Sequence, residues 1–474
     1  MKKQSIDRLI LLLLLGGLFL LFFLPPFDPD LGWQLRCGQQ IWQQKELCTV
    51  NTFSVFLENY RWTDARAFYQ ALIFPFYHWF GLLGLSLING LLMATALLFW
   101  LSLAGKKEIK VILLPLIIFL SWLVLGFGIR NQLISLFFLL LLLKVIEQVH
   151  QGKRGWLFLF PLIMFFWANS HGGFVLGVFL LLAFLLEKTL NFMTKKESFK
   201  NYLFLFGWMF FSLLATFINP FGFKIYFEAW RHFSVVPLSR LIAEWVPPPF
   251  GWQIMVFLFL GLALGVIYQT RKNSLTLFKL LGLFFLAFLA VKARRDLVFF
   301  FFFAGYVLSS LRLKKKNIQA LAILMVLTIF VLGLFLQLPR TIMIDSHWEK
   351  FCSSAKTRYP AQAVEFLRKQ PTKGRIFNAY EWGGFLIWQL PEYKVFVDGR
   401  MPAWQTASGK SPYTIYLETL QTQPGWQETL TEFKIDWLFI YPGTFMDLKI
   451  KDKPEDFGWQ EVYRDELAVI YQKI

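Results

Sequence analysis

Apolar residues fill this chain in long unbroken blocks, and polar residues gather in the gaps between them. The blocks fall at 9–24, 82–104, 110–127, 130–147, 156–169, 173–190, 201–218, 252–269, 275–291, 297–312 and 318–337. Crossing a bilayer takes roughly 20 apolar helical residues, so these blocks predict about eleven spans, several of them short. The stretch 156–190 reads as one kinked span or as two. Lys2, Lys3 and Arg8 precede the first block and no small-residue cleavage site follows it, so it reads as a retained helix. Phenylalanine runs such as Phe299 to Phe303 read as lipid-facing mass.

Two long gaps stand out, 25–81 and 219–251, and the first is too long to be a passive connection. In the first, Leu31, Leu35, Ile41 and Trp42 recur at near-helical spacing between glutamines. That pattern predicts a helix along the membrane surface, with a second carrying Phe68, Leu72, Phe76 and Trp79. The second gap opens Asn219-Pro220-Phe221-Gly222 and closes on Pro247-Pro248-Pro249, which stiffen the return to the membrane. Beyond residue 340 the pattern changes to shorter alternating elements. Strands are predicted at 375–378, 394–398, 436–441, 461–463 and 468–471, and helices at 360–369, 381–390, 413–420 and 426–433. Strands alternating with helices indicate a small α/β domain with a partly parallel sheet. The fold class is a polytopic α-helical membrane protein over 1–338 with a C-terminal α/β domain over 340–474.

Composition agrees, and charge adds an orientation. Of 474 residues 56% are hydrophobic and 16% charged, with a formal net charge of +18. Lys106, Lys107 and Lys110, then Lys153 and Arg154, then Lys188, Lys195, Lys196 and Lys200 fall in alternate loops. Arg271, Lys272 and Lys279, then Arg312, Lys314, Lys315 and Lys316, continue the series. Positive loops face the cytoplasm, which puts the N-terminus inside and both the first loop and the C-terminal domain outside. The positive charge is thus largely a topology signal, and no nucleic-acid partner is needed to explain it. Lys292, Arg294 and Arg295 break the rule by lying on the external side. All three cysteines fall outside: Cys37 and Cys48 could bond across a short segment, leaving Cys352. No Cys or His pair has zinc spacing.

Three stretches, in this order, resemble the GT-C superfamily of integral-membrane glycosyltransferases, and most of all bacterial relatives of the oligosaccharyltransferase catalytic subunit. The first is Asp28-Pro29-Asp30 opening the first external loop, where that superfamily keeps a catalytic or metal-binding acid. The second is the later external loop bearing Glu244, followed by four spans and a soluble domain. The third runs Arg375-Ile376-Phe377-Asn378-Ala379-Tyr380-Glu381-Trp382-Gly383-Gly384 and on to Val395-Phe396-Val397-Asp398-Gly399-Arg400. It resembles the strand, Trp-Trp-Asp-Tyr-Gly signature, helix and strand of the oligosaccharyltransferase soluble domain. Matched at Gly383, Glu381 takes the place of the family Asp, while Tyr380 and Ala379 replace its two Trp, so an Asn-sequon acceptor is not implied.

On this resemblance Asp30 is expected to take the proton from an acceptor, with Asp28 orienting it or sharing a divalent cation, Mg²⁺ or Mn²⁺. The alternative is that the pair caps the helix starting near Leu31. Arg294 and Arg295 are placed to bind a lipid phosphate, or to anchor to headgroups. Glu244 and His171 are candidate substrate contacts, against a surface ion pair and a polar turn respectively. Asp64, with Arg61 and Arg66, is expected to brace the first loop against the membrane core. Glu381, Asp398 and Arg400 gather at strand ends, as ligand contacts or as bracing for the first loop. The resemblance implies inverting transfer from a polyprenyl-phosphate sugar to a glycan, lipid or protein acceptor, outside a bacterial plasma membrane. No nucleotide is expected, in keeping with the lack of a Gly-rich phosphate loop. The alternatives are a lipid-linked saccharide flippase and a non-catalytic cell-envelope assembly protein.

Overall fold

The computed structural model describes residues 2–23, 28–125, 131–194, 198–234, 242, 244–270, 276–311, 318–332, 334–335, 348–353 and 359–474. Lys195, Lys196, Arg271, Lys272, Arg312, Lys314, Lys315 and Lys316, named above, lie outside them. The chain divides into two compact units, Met1–Pro25 with Leu85–Ile342, and Pro26–Gly84 with Met343–Ile474.

The first unit is helical. Its elements are α1 (Lys2–Phe22), the later part of α3 (Ala67–Ser102), α4 (Lys107–Leu125), α5 (Asn131–His150), α6 (Leu159–Ala168), α7 (Phe174–Met193), α8 (Phe199–Ala215), α9 (Lys224–Ser234), α10 (Phe250–Thr270), α11 (Thr276–Lys292), α12 (Leu297–Leu308) and α13 (Ile318–Leu332). Between α1 and α3 comes α2 (Leu31–Gln44), which belongs to the second unit. Among the described residues four helices are long and apolar enough to cross a membrane: Ala67–Ser102, Gln132–His150, Phe174–Met193 and Phe250–Thr270. Shorter apolar helices occupy Leu12–Phe22, Ile109–Ile118, Arg154–Ala168 and Phe199–Ala215. The 156–190 stretch is two helices, α6 and α7, joined by a turn. α3 is broken at Gly81, whose φ of 57° and ψ of −144° are not helical, between the segment with Phe68 to Trp79 and the expected span from 82.

One expectation fails here. Every residue of α12, including Phe299 to Phe303, is buried inside the unit. A helix apolar on all sides suits a protein core as well as it suits lipid, and α12 is packed between neighbours: Trp100 donates its indole N–H to the Phe302 carbonyl at 2.9 Å, and the Phe259 and Phe278 rings meet Phe301 and Phe303.

The second unit is built on a five-stranded sheet. After α14 (Trp348–Ser353) and α15 (Ala361–Arg368) come β1 (Arg375–Asn378), α16 (Gly383–Gln389), β2 (Lys394–Val395), α17 (Pro412–Leu420), α18 (Trp426–Glu432), β3 (Trp437–Ile440), α19 (Phe445–Ile450), β4 (Trp459–Arg464) and β5 (Val469–Lys473). The strand order is β2-β1-β3-β5-β4, parallel for the first three and antiparallel for the rest. β3, in the middle, is buried at all four positions, as a strand covered on both faces must be. β2 ends at Val395 rather than Asp398: Phe396 N–H still donates to the Ile376 carbonyl at 2.8 Å, but it shares the Asn378 Oδ1 with Val397 N–H, at 2.9 and 3.3 Å, and from there a side chain takes over from the ladder.

The first loop completes this unit. Val395 donates its N–H to the Phe53 carbonyl and accepts from Val55 N–H, both at 3.0 Å, so residues 53–55 run along the edge of β2. The first part of α2 is covered within this unit, where Leu31, Trp33 and Leu35 are buried and the helix packs on α16, while Trp42 farther along stays exposed. A methyl group on Gly32 would overlap the Gly384 carbonyl oxygen, so the two backbones meet where only glycine fits. Cys37 and Cys48 are disulfide-bonded, Cα–Cα 5.3 Å, which ties the middle of α2 to the segment just past its end, and Cys352 is free and buried.

Candidate functional site

Asp28-Pro29-Asp30 sits where the chain enters α2. Asp30 holds the N-cap position of that helix, yet its side chain makes no capping hydrogen bond. Asp28 takes the local role instead: its Oδ1 accepts from Asp30 N–H at 3.1 Å and its carbonyl accepts from Leu31 N–H at 3.0 Å. One Asp therefore shapes the turn while the carboxylate of the other points elsewhere. The Asp30 side chain keeps 25% of its surface exposed and lies 4.0 Å from Nη1 of Arg66.

Arg66 anchors this arrangement. It donates Nε–H to Asp64 Oδ1 at 2.6 Å, and its guanidinium carbon lies 4.4 Å above the Trp33 ring. Gln70 donates to the other Asp64 oxygen at 2.6 Å. Burial opposes the charge on Arg66, but the carboxylates of Asp64, Asp30 and Asp28 more than offset it and hold its pKa above the usual value. Asp64 and Arg66 do brace the loop, as expected, but against Trp33 and the first turn of α3 within this unit. Tyr359 lies on the other side, its hydroxyl donating to the Asp28 carbonyl at 3.4 Å. Burial first, and the nearby Asp28 carboxylate second, push that hydroxyl's pKa well up, so it stays a donor.

Asp398-Gly399-Arg400 forms the wall against which Asp30 rests. A methyl group on Gly399 would overlap Asp30 Oδ1, with the Asp30 Cγ only 2.8 Å away. Arg400 grips Asp398 through two bonds, Nε–H to Oδ1 at 2.8 Å and Nη2–H to Oδ2 at 2.7 Å, with both side chains fully buried. Arg400 also reaches Asn51 Oδ1 of the first loop at 3.2 Å and sits among the rings of Trp33, Phe53, Trp62 and Trp404. Of the two readings of this pair, the geometry is that of bracing for the first loop. Glu381, in contrast, is exposed, and Trp382, Trp404, Trp426 and Trp437 are core side chains.

Arg294, Arg295, Glu244 and His171 belong to the helical unit and are described within it. The segment between α11 and α12 carries Arg294–Asp296 as a single helical turn. The sequence does not foretell that Arg295 and Glu244 are partners: Arg295 Nη1 donates to Glu244 Oε1 at 3.4 Å, and Arg295 N–H donates to the Glu244 carbonyl at 3.0 Å. The Arg295 guanidinium carbon lies 4.2 Å above the Trp245 ring, and Gln132 Nε2 donates to Glu244 Oε2 at 3.3 Å. Arg294 donates its N–H to the Val246 carbonyl at 3.0 Å, and among the described residues no carboxylate is in ion-pair range of its side chain. His171 is buried in the turn after α6, where Nδ1 faces Ser135 Oγ at 2.6 Å and accepts from Gly173 N–H at 3.1 Å. Two donors at Nδ1 leave the ring proton on Nε2.

Asp28 and Asp30 offer oxygen ligands suited to Mg²⁺ or Mn²⁺, but among the described residues no group of three or more His, Cys, Asp or Glu gathers at a metal-binding distance. The Arg66 guanidinium, 4.0 Å from Asp30, already offsets part of the negative charge of the pair. Sequence reasoning gave Arg66 a bracing role but not its place beside Asp30, and it missed Tyr359 and Gly399. Of these, only the conspicuous Asp-Gly-Arg triplet carried a local signal.

No protein-family model matches the chain, and no curated protein matches it. Solved structures do. The Archaeoglobus fulgidus oligosaccharyltransferase tethered to an acceptor peptide containing the NVT sequon aligns over 98% of this chain and 73% of its own, at 12% identity and a TM-score of 0.53. Its counterpart AglB from the same organism, in complex with an inhibitory peptide and a dolichol-phosphate, aligns over 100% and 74%, at 10% identity and 0.54. The apo form gives 93% and 70%, at 10% identity and 0.51. The chain thus has the fold of this oligosaccharyltransferase, as the GT-C resemblance implies, and with its apolar helices it is a multi-pass membrane protein.

Proposed function

We propose that the chain is a membrane glycosyltransferase that takes a sugar from a polyprenyl-phosphate donor and passes it, with inversion, to an acceptor outside a bacterial plasma membrane. One observation carries the reading: Asp30 stands at a helix N-terminus without capping it, its carboxylate part-exposed and set between Arg66 and Gly399. A structural acid at that position would be spent on the helix. The shared fold supports it, since the related archaeal enzyme is an oligosaccharyltransferase whose structure holds a dolichol-phosphate, itself a polyprenyl phosphate.

In this mechanism the acceptor oxygen or nitrogen attacks the anomeric carbon on the face opposite the phosphate. Its proton passes to Asp30, the bond from anomeric carbon to phosphate oxygen breaks, and the polyprenyl phosphate leaves with the electron pair. Arg66, 4.0 Å away, holds the Asp30 carboxylate in place. Arg294 takes the phosphate charge, while Arg295, already paired with Glu244, fixes the turn that presents it. Glu244, His171 and Glu381 are further substrate contacts in this proposal; Asp398 and Arg400 act on substrate only through the placing of Asp30. A divalent cation, if used, would draw on Asp28 and Asp30, and no nucleotide is involved.

The test is to incubate the purified chain with a panel of polyprenyl-phosphate sugars and follow sugar release. Asp30→Asn is expected to lower it by about 10²–10⁴-fold, the usual worth of a general base. Release undiminished in a folded Asp30→Asn chain would overturn the proposal.

A further inference from the structure

Helix α9, Lys224–Ser234, has three different faces. Ile225 is buried, and Tyr226 sets its ring edge-on to Phe174 at 5.0 Å while its hydroxyl shares a 2.6 Å hydrogen bond with Thr216. That face fastens the helix to the bundle. A second face is charged: Glu228 lies 3.5 Å from Arg231 and 3.3 Å from His232. On the third, Phe223, Phe227 and Trp230 recur at i, i+4 and i+7, one stripe of a helix. They are 54%, 63% and 66% exposed.

The stripe is continuous with the apolar outside of the helical unit. Phe217, just past α8, stacks on Phe223 at 5.8 Å, and Phe223 meets Phe227 at 5.1 Å. Beside them Ile218 is exposed, as are Phe210, Phe211 and Leu214 on α8 and Phe250 and Phe257 on the membrane-crossing helix α10. A surface that runs from apolar helices onto an amphipathic one, edged by a tryptophan and by Lys224 and Arg231, fits the boundary between acyl chains and headgroups. A protein partner would have to cover the end of α8 as well, which a bilayer covers already.

We propose that α9 is an interfacial anchor seated in the membrane surface, with Phe223, Phe227 and Trp230 in the acyl boundary and Lys224 and Arg231 among the lipid headgroups. The anchor has a consequence for its own unit. His232 faces the Trp245 ring at 6.1 Å, and Trp245 carries Arg295 and so Glu244. The depth of α9 therefore sets the height at which that pair meets the headgroup layer. This holds whatever reaction the chain performs.

The experiment uses the full chain with Cys352→Ser, in nanodiscs of phosphatidylcholine and phosphatidylglycerol. A nitroxide is attached at Phe227→Cys, Trp230→Cys, Lys224→Cys or Arg231→Cys, one at a time, with Phe257→Cys on α10 as the lipid-facing reference. Collisions with oxygen, which concentrates in lipid, are compared with those of water-soluble nickel–EDDA. At 227 and 230 oxygen is expected to dominate, as at 257, and at 224 and 231 the order is expected to reverse. Strong nickel–EDDA collisions at 227 and 230 would mean a stripe bathed in water and overturn the proposal. Shielding of both positions from both reagents would mean a protein partner or second copy there, and overturn it equally. Size-exclusion profile and melting temperature matching the Cys352→Ser parent show that each labelled chain is folded.

Discussion

Gly399 stands so close to the carboxylate of Asp30 that a methyl group added to it would strike Oδ1. The contact joins positions far apart in the chain, and it makes a loop of the C-terminal sheet part of the acid's immediate surroundings. Gly399→Ala must move either the loop or the carboxylate. Overpacking of this kind costs about 1–3 kcal/mol, and a carboxylate displaced by about 1 Å loses on the order of 10²-fold in turnover. The melting temperature should fall in the wild-type background and recover in an Asp30→Gly background, where there is nothing to strike. Equal destabilisation in both backgrounds would show that the clash lies elsewhere.

Arg400 and Asp398 are a fully buried ion pair. Replacing Arg400 with Ala strands the Asp398 charge, and such losses cost about 3–5 kcal/mol. Denaturant unfolding should show that cost in Arg400→Ala, and the Asp398→Asn, Arg400→Met double variant should recover most of it. Additive losses would mean that the two side chains are not coupled.

Arg294 and Arg295 should behave differently although they are neighbours. Arg294→Gln is expected to raise KM for a polyprenyl-phosphate sugar about 10- to 100-fold, the worth of a charged hydrogen bond, with little change in melting temperature. Arg295→Gln should lower the melting temperature, because it takes the guanidinium away from Glu244 and from the Trp245 ring. Kinetics and melting curves for the two variants decide it, and identical behaviour would reject the division of roles.

Acid should weaken the C-terminal sheet through Asp447. Burial raises the pKa of this carboxyl, but hydrogen bonds from Arg464, Tyr471 and the Gly443 N–H outweigh burial and leave it below 3.8. The folded state therefore holds the proton less tightly than the unfolded chain. Its stabilisation is complete above the unfolded value and is lost as pH falls through the depressed folded one. Melting temperature should drop below about pH 4, and Asp447→Asn, less stable at neutral pH, should lose part of that acid dependence. An acid limb unchanged in the variant would assign it to other carboxylates.

The Cys37–Cys48 disulfide closes a short loop at the end of α2. Breaking it in a Cys37→Ser, Cys48→Ser chain is expected to cost about 2–4 kcal/mol. Without reductant, alkylation of the unfolded wild-type chain should modify Cys352 alone; labelling of all three would rule the bond out.

Hydropathy blocks, the strands predicted at 375–378 and 436–441, which the structure forms as β1 and β3, and the partly parallel sheet were legible in the residues, because burial periodicity and strand length are local properties. The break between the segment ending near Trp79 and the span from 82 was legible too, and Gly81 makes it. Asp28 and Asp30 were recognisable as a pair, but not which of them shapes the turn and which is left for other work.

What only the tertiary structure decided has a common cause. Phe299 to Phe303 read as lipid-facing because lipid and protein interior are equally apolar, and hydropathy cannot tell one from the other. α2 read as a surface helix because its apolar stripe needs a cover, and no local rule says that the cover is α16. Gly399 and Tyr359 were silent for the same reason, and so was the approach of Arg66 to Asp30: each matters through a contact with a distant segment. Sequence alone determined that this is an apolar helical bundle with a sheet domain and an acidic pair at the head of its first loop. Packing decided where that pair points, since the position of a carboxylate is set by what its neighbours exclude.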